Sequence, residues 1–301
     1  MKRPESDQVL GCLYGGACGD VLGGPYEGMS PPVNIDEENK WRLSDDTQLT
    51  LATCEAIGKV GRVDPEYIAS CFCQWFQERR LSGLGASTYK ALSELAQGGH
   101  WALVGRRGEM AAGNGAAMRI APLAFLLDPE DEGHRRTIRD VCRITHHNDE
   151  AYIGALAVVV AIRAAWLGVW SGDEDLIDHV VPCLPDSRVR DRLCEMNRTK
   201  EISTLFDLSS RYGNSGYVVE TVPLALCGAC HVKSLGFREV INQLIRCGGD
   251  TDTIASIAGQ IAGVIVGYNA LPKEMTTRVP QQELIRSVIK EYMNVVCCCD
   301  K

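Results

Sequence analysis

The sequence carries almost no strand signal: no clear alternating apolar run appears, and no Asn-Gly or Asp-Gly hairpin joins two such runs. Helices are left to bury the 45% of residues that are hydrophobic. Basic charge is also short, with 31 Lys and Arg against 39 Asp and Glu, a net −8. That sign argues against a nucleic-acid surface, which is normally basic. No apolar segment follows the M-K-R-P-E-S-D-Q opening, so no secretory signal is expected and the expected compartment is the cytoplasm. Residues 254–266 are apolar but shorter than the roughly 20 residues of a membrane span, and no membrane partner is expected. Cysteine is abundant, at 14, but zinc spacing is missing. Cys227-x-x-Cys230 and the run Cys297, Cys298, Cys299 have no second pair, and Cys12, Cys54, Cys142 and Cys247 fall in apolar helical patterns, as reduced buried thiols do.

What the chain does have centres on residues 248–263, G-G-D-T-D-T-I-A-S-I-A-G-Q-I-A-G. Asp250, Asp252 and Thr253 sit at a Gly-rich helix entry, where backbone N–H groups are free. Oxygen ligands gathered in this way suit a hard cation such as Mg²⁺ or Mn²⁺. They equally suit a cap satisfied by the helix dipole, and this stretch alone leaves both readings open. Behind the entry, Ala255, Gly259, Gly263 and Gly267 recur every four residues. Each interior Gly costs roughly 1 kcal/mol against Ala, so a bare ridge implies a close helix–helix contact.

A helix over 7–22 repeats the pattern with Gly11, Gly15 and Gly19, and the two ridges are expected to pack together. It ends at a Gly23-Gly24-Pro25 break, with Asp20 at its end and Glu27 in the following loop. A second acidic helix opening follows at Ser44-Asp45-Asp46-Thr47, where Ser44 is a natural N-cap. Helical patterns continue at 64–77, 87–96, 135–145, 151–169 and 283–296. Residues 111–122 form a small-residue loop that would let backbone amides approach a ligand, and Arg119 at its end reads as surface or ion-paired. The pair His146-His147 reads as a cap or core hydrogen bond, and Tyr217 as a ring able to stack a flat group. Residues 170–216 read as polar and irregular apart from a helix near 186–197. The expectation is an all-α single domain, 1–301: one compact multi-helix bundle with a central site.

These motifs resemble the ADP-ribosylglycohydrolases. The matching pieces are G-x-x-x-G-x-x-x-G-D-x-x-G-x-P-x-E at 11–27, S-D-D-T at 44–47 and G-N-G-A-A-M-R-x-A-P at 113–122. Further matches are T-H at 145–146, G-Y-V-V-E-T at 216–221 and G-G-D-T-D-T-I-A-S-I-A-G at 248–259. The resemblance implies a helical fold around two Mg²⁺ or Mn²⁺ ions held by Ser44, Asp45, Asp46, Asp250, Asp252 and Thr253. It places Glu27 as the acidic residue after the first glycine helix, with Asn114, Gly115 and Ala116 as the ligand-shaping loop and His146 as the motif histidine. The implied reaction is hydrolysis at C1 of the distal ribose of an ADP-ribosylated protein or small ADP-ribose conjugate. Arginine is the first choice of acceptor; serine, O-acetyl-ADP-ribose and a silent ADP-ribose-binding relative are the alternatives. Glu27 is the residue expected to transfer a proton or orient the substrate; Asp45 or Asp46 could instead activate the water as an outer-shell base, and the sequence does not separate these roles. The sequence does not set the oligomeric state; a monomer is one option.

Overall fold

The computed structural model describes residues 3–36, 38–173, 175–199 and 204–297, so Cys298 and Cys299 lie outside the described residues. The chain is 67% helical and 2% strand. At its centre the helix Ser6–Gly23 lies antiparallel to the helix Thr251–Val266, with both ridges facing each other. A Cβ on Gly11 would stand 2.2 Å from the Gly263 carbonyl oxygen, and one on Gly15 would stand 2.3 Å from that of Gly259. A Cβ on Gly19 would meet the Ala255 carbonyl at 2.1 Å. No side chain fits at these steps, which is why glycine occupies them despite its helix cost. Gly267 is not part of the helical ridge: it is the residue after the helix, at φ 75°.

This seam sets the register of the site. It brings the C-terminal end of the first helix against the N-terminal end of the second, where the Thr251 hydroxyl donates to the Gly23 carbonyl at 2.8 Å. Gly23 is still helical; the break comes at the short turn Gly24–Tyr26. Around this pair pack the helices Asp45–Val60, Asp149–Leu167, Val218–Ala229 and Phe237–Arg246, and Gln282–Val296 covers Asp45–Val60. Asp149–Leu167 is long and apolar enough to cross a membrane by length and composition, yet 78% of that window is buried inside the molecule. It is the core helix that its Ala/Val-rich sequence suggests.

Four expectations need correction. Residues 170–216 hold two further helices, Leu176–Val180 and Leu205–Tyr212, whose few apolar residues give a weak periodic signal. The helix behind Asp250, which the sequence pattern starts near Thr253, begins at Thr251, because Gly248 and Gly249 at φ 70° and 77° complete the turn beforehand. A two-residue parallel pair, Arg106–Arg107 with His146–His147, is too short to leave a pattern. Arg119 is neither on the surface nor ion-paired: it is fully buried and donates to Gly115 O, Val141 O and Thr145 Oγ1.

Candidate active site

Two loops carry the acidic side chains to one place. Gly28 N donates to Gly249 O at 2.8 Å and Gly249 N to Met29 O at 3.0 Å, a reciprocal clasp between the Glu27 loop and the Asp250 turn. A Cβ on Gly249 would stand 2.2 Å from the Asn214 carbonyl, so glycine is required there for space as well as for its positive φ. One oxygen each of Glu27, Asp250 and Asp252 then lies within 4.8 Å of the others. Among the described residues this is the one group of carboxylate, imidazole or thiol ligands close enough to share an ion.

The Ser44-Asp45-Asp46 opening arrives from the side and is firmly fastened. Ser44 Oγ accepts from Asp46 N at 3.2 Å, the cap that its sequence announces. Asp20, fully buried, accepts from Ser44 N and Thr47 N at 3.2 and 3.3 Å. Asp46 Oδ2 receives the hydroxyls of Ser44 and Thr253 at 3.2 and 3.1 Å, which joins the two acidic openings. Asp46 Oδ1 is buried without a partner. By contrast Asp250 makes no capping bond to its helix; its Oδ2 accepts from Asn114 Nδ2 at 2.7 Å.

Crowding and burial raise every shifted carboxylate in this cluster. Burial followed by Asp250 drives Asp252 up to about 9, and burial drives Asp20 up to about 6. Asp45 and Asp46 are held well above the usual range by burial first and their acidic neighbours second. Burial and Asp250 also raise Glu27. Among the described residues no Lys or Arg forms an ion pair with any of these six carboxylates. An oxygen-only donor set, repelling itself and with one orphaned buried oxygen, fits divalent cations.

The opposite wall is different in chemistry. A cavity of about 280 Å³ separates the carboxylates from Gly113, Asn114, Gly115, Arg106, Met110 and His146. The 113–116 segment is a short turn whose Asn114 N–H is already bonded to Gly216 O, so that amide does not face a ligand. Asn114 Nδ2 also reaches Thr221 Oγ1 at 3.0 Å, holding the side chain that steadies Asp250. Asn148, not a histidine, caps the following helix through Ala151 N. Burial first, then Arg119, pushes His146 down to about 3, so the ring is neutral at physiological pH. Ala116 is buried behind the loop, and the cavity wall takes Gly216 rather than the ring of Tyr217, whose hydroxyl receives Arg188 Nη1 at 3.4 Å. Sequence reasoning missed Asp20 as the second fastening of the Asp45–Val60 helix, though the G-D step of the first motif marks it. It also missed Arg106 and Met110, which lie in a stretch with no pattern.

The all-helical fold and this acid-lined cavity, whose donor set fits divalent cations, suit a hydrolase. The ADP-ribosylglycohydrolase model matches residues 1–298, and the chain belongs to that family of enzymes acting on ADP-ribose linkages. It is 25% identical to the ADP-ribosylarginine hydrolase Tri1 of Pseudomonas putida, over 96% of this chain and 78% of that one. It is 26% identical to the ADP-ribosylhydrolase ARH3 of Gallus gallus, over 90% and 88%. A solved ADP-ribosylglycohydrolase-related protein complex shares the fold at a TM-score of 0.74 and 24% identity, over 96% of this chain and 98% of that one.

Proposed function

We propose that the chain removes ADP-ribose from a modified acceptor by hydrolysing the bond at C1 of the distal ribose, with arginine on protein as the first acceptor. The observation that carries this reading is the clasped cluster of Glu27, Asp250 and Asp252 facing a cavity walled by the 113–116 turn. In this reading 1–301 acts as one domain, and Ser44, Asp45, Asp46, Asp250, Asp252 and Thr253 hold two divalent cations, Mg²⁺ or Mn²⁺. Such a pair would orient ribose hydroxyls and lower the pKa of a bound water. Glu27, raised by burial and Asp250, is poised to move the proton between water and leaving group. Asn114 keeps Asp250 aimed at the cluster. Gly115 and the His146 edge face the pyrophosphate side of the cavity.

One observation favours a second acceptor class. A neighbouring cavity of about 230 Å³ shares Glu27, Gly83 and Asp252 with the first and is also lined by Lys40 and Arg42. Two cations there suit an uncharged or anionic leaving group, such as serine-linked ADP-ribose or O-acetyl-ADP-ribose, better than a guanidinium. Release of ADP-ribose from arginine-linked, serine-linked and O-acetyl substrates, with Mg²⁺ and with EDTA, tests both readings. Turnover of none of them, or turnover unaffected by EDTA, overturns the proposal.

A further inference from the structure

Among the described residues, the one fully buried cation, behind the cavity, has no counter-ion. Arg119 is 0% exposed, and burial brings it down only to about 10, so it stays charged at neutral pH. Its acceptors are two backbone carbonyls, Gly115 O at 2.6 Å and Val141 O at 3.3 Å, and one hydroxyl, Thr145 Oγ1 at 3.0 Å. The face of Phe72 lies 5.0 Å from its guanidinium carbon, and its Nε has no partner. A buried charge without an opposite charge is costly, and a hydrophobic residue of the same size would avoid that cost. Its position gives it a use: its partners are the 113–116 turn and the residue beside His146.

The direction of each bond in this chain follows from what each group can do. A guanidinium only donates, so Thr145 Oγ1 is the acceptor towards Arg119 and keeps its own hydrogen to give. The only other partner of that hydroxyl among the described residues is His146 Nδ1, at 2.7 Å. The arrangement that leaves no hydroxyl hydrogen unused has Thr145 donating to Nδ1, which puts the single proton of the neutral ring on Nε2; the reverse would leave the buried Thr145 hydrogen without an acceptor. That nitrogen has no partner among the described residues, although His146 is only 3% exposed and forms part of the cavity wall. It lies just under the turn: a Cβ on Gly113 would stand 3.2 Å from it and one on Gly115 3.3 Å. Two glycines thus leave this edge uncovered.

We propose that Arg119 is a positioning residue which, through Thr145, fixes His146 with its proton on Nε2, giving the cavity wall a neutral N–H donor for a phosphate oxygen of the substrate. The same guanidinium draws the Gly115 carbonyl inward and adds positive potential behind the wall, so the subsite accepts an anionic oxygen and rejects a donor group. The substrate half of this inference rests on the reading of the cavity as an ADP-ribose site; the relay does not.

The test uses the full chain with Mg²⁺ and without ligand, labelled with ¹⁵N at histidine. The chain has six histidines, and the His146 signals are those lost in His146→Gln. The expected spectrum has Nε2 protonated and Nδ1 bare. Thr145→Ser keeps that pattern because it keeps the hydroxyl, whereas Thr145→Val loses it and weakens ADP-ribose binding about tenfold, the scale of one good hydrogen bond. Mg²⁺ affinity stays unchanged in both. A wild-type proton on Nδ1 overturns the relay, and so does a Thr145→Val protein with the wild-type spectrum and affinity. A wild-type spectrum as expected, in a protein that does not bind ADP-ribose, overturns the substrate half instead.

Discussion

The two walls of the central cavity carry opposite and unbalanced charge. On one side Glu27, Asp45, Asp46, Asp250 and Asp252 crowd together with no ion pair among the described residues, and Asp20 lies buried behind them. On the other, Arg119 is buried with no carboxylate bonded to it, behind a neutral His146. Paired across the molecule these charges would cancel, as in an ordinary buried salt bridge; held apart by a cavity, they do not. In the function proposed, a ligand of the opposite sign would complete each wall, cations on the acidic side and a phosphate on the other. The difference also shows how each wall is built. The acidic wall is delivered by a glycine seam between helices, and the other by hydrogen bonds that converge on one guanidinium.

The largest effect is expected from breaking the acidic wall. Asp46→Ala or Asp252→Ala should reduce turnover to background, as should EDTA. Without metal each variant should melt at or above the temperature of metal-free wild type, since a repelling charge is gone. Wild-type activity in EDTA, with merely slowed variants, would defeat the metal reading. Next comes Glu27→Gln, which keeps size and loses the charge. Turnover should fall ~10²–10⁴-fold, the scale of a positioned acid or base, while ADP-ribose affinity changes little. Full single-turnover activity in this variant would remove Glu27 from the chemistry and leave the aspartates.

The seam can be broken without touching either wall. Gly15→Leu or Gly259→Leu forces a side chain into a carbonyl 2.3 Å from the Cβ position, and should destabilise by ~1–3 kcal/mol or more. A Cβ on Gly24, one helix end away, meets nothing within 4 Å, so Gly24→Ala is the control. Equal urea midpoints for all three variants would show that the close approach is not what holds the two acidic ends in register.

The acidic wall was the part most legible in the sequence. Asp45, Asp46, Asp250 and Asp252 sit at helix starts, beside glycines whose spacing has one physical reason, so the two bare ridges could be matched to each other, while the pairing of Gly11, Gly15 and Gly19 with Gly263, Gly259 and Ala255 came only with the structure. The second wall was far less legible. Arg119 looked like any other arginine, because what defines it is the company of Val141 and Thr145, some 20 residues away in the chain. Asp20 was read as a helix end for the same reason: its partners, Ser44 and Thr47, lie on another element. Arg106 and Met110 belong to a stretch without periodicity, which nothing local assigns to a site. Spacing along one helix shows in a sequence, whereas convergence of separate loops does not.

The smallest expected effect is also the most direct reading of the two walls, because they respond to pH with opposite signs. Asp252 is raised to about 9 and Asp20 to about 6, above an ordinary 3.8. Groups of this kind favour the folded state at acid pH, and that stability is lost as pH rises through their folded values. His146 is lowered to about 3 from 6.5. Its contribution is present above pH 6.5 and is lost as pH falls towards 3. In EDTA, urea unfolding should therefore show stability declining from about pH 6 to pH 9, mainly through Asp252, by on the order of 1 kcal/mol per pH unit. Asp252→Asn should flatten this alkaline limb and leave the acid limb in place, whereas His146→Gln should soften the acid limb alone. Added Mg²⁺ should restore wild-type stability most at the alkaline end, where the carboxylates are ionised and repel each other. A chelated protein that grows more stable from pH 6 to pH 9 would mean that the acidic wall is neutralised from within the chain, and the contrast between the walls would fall.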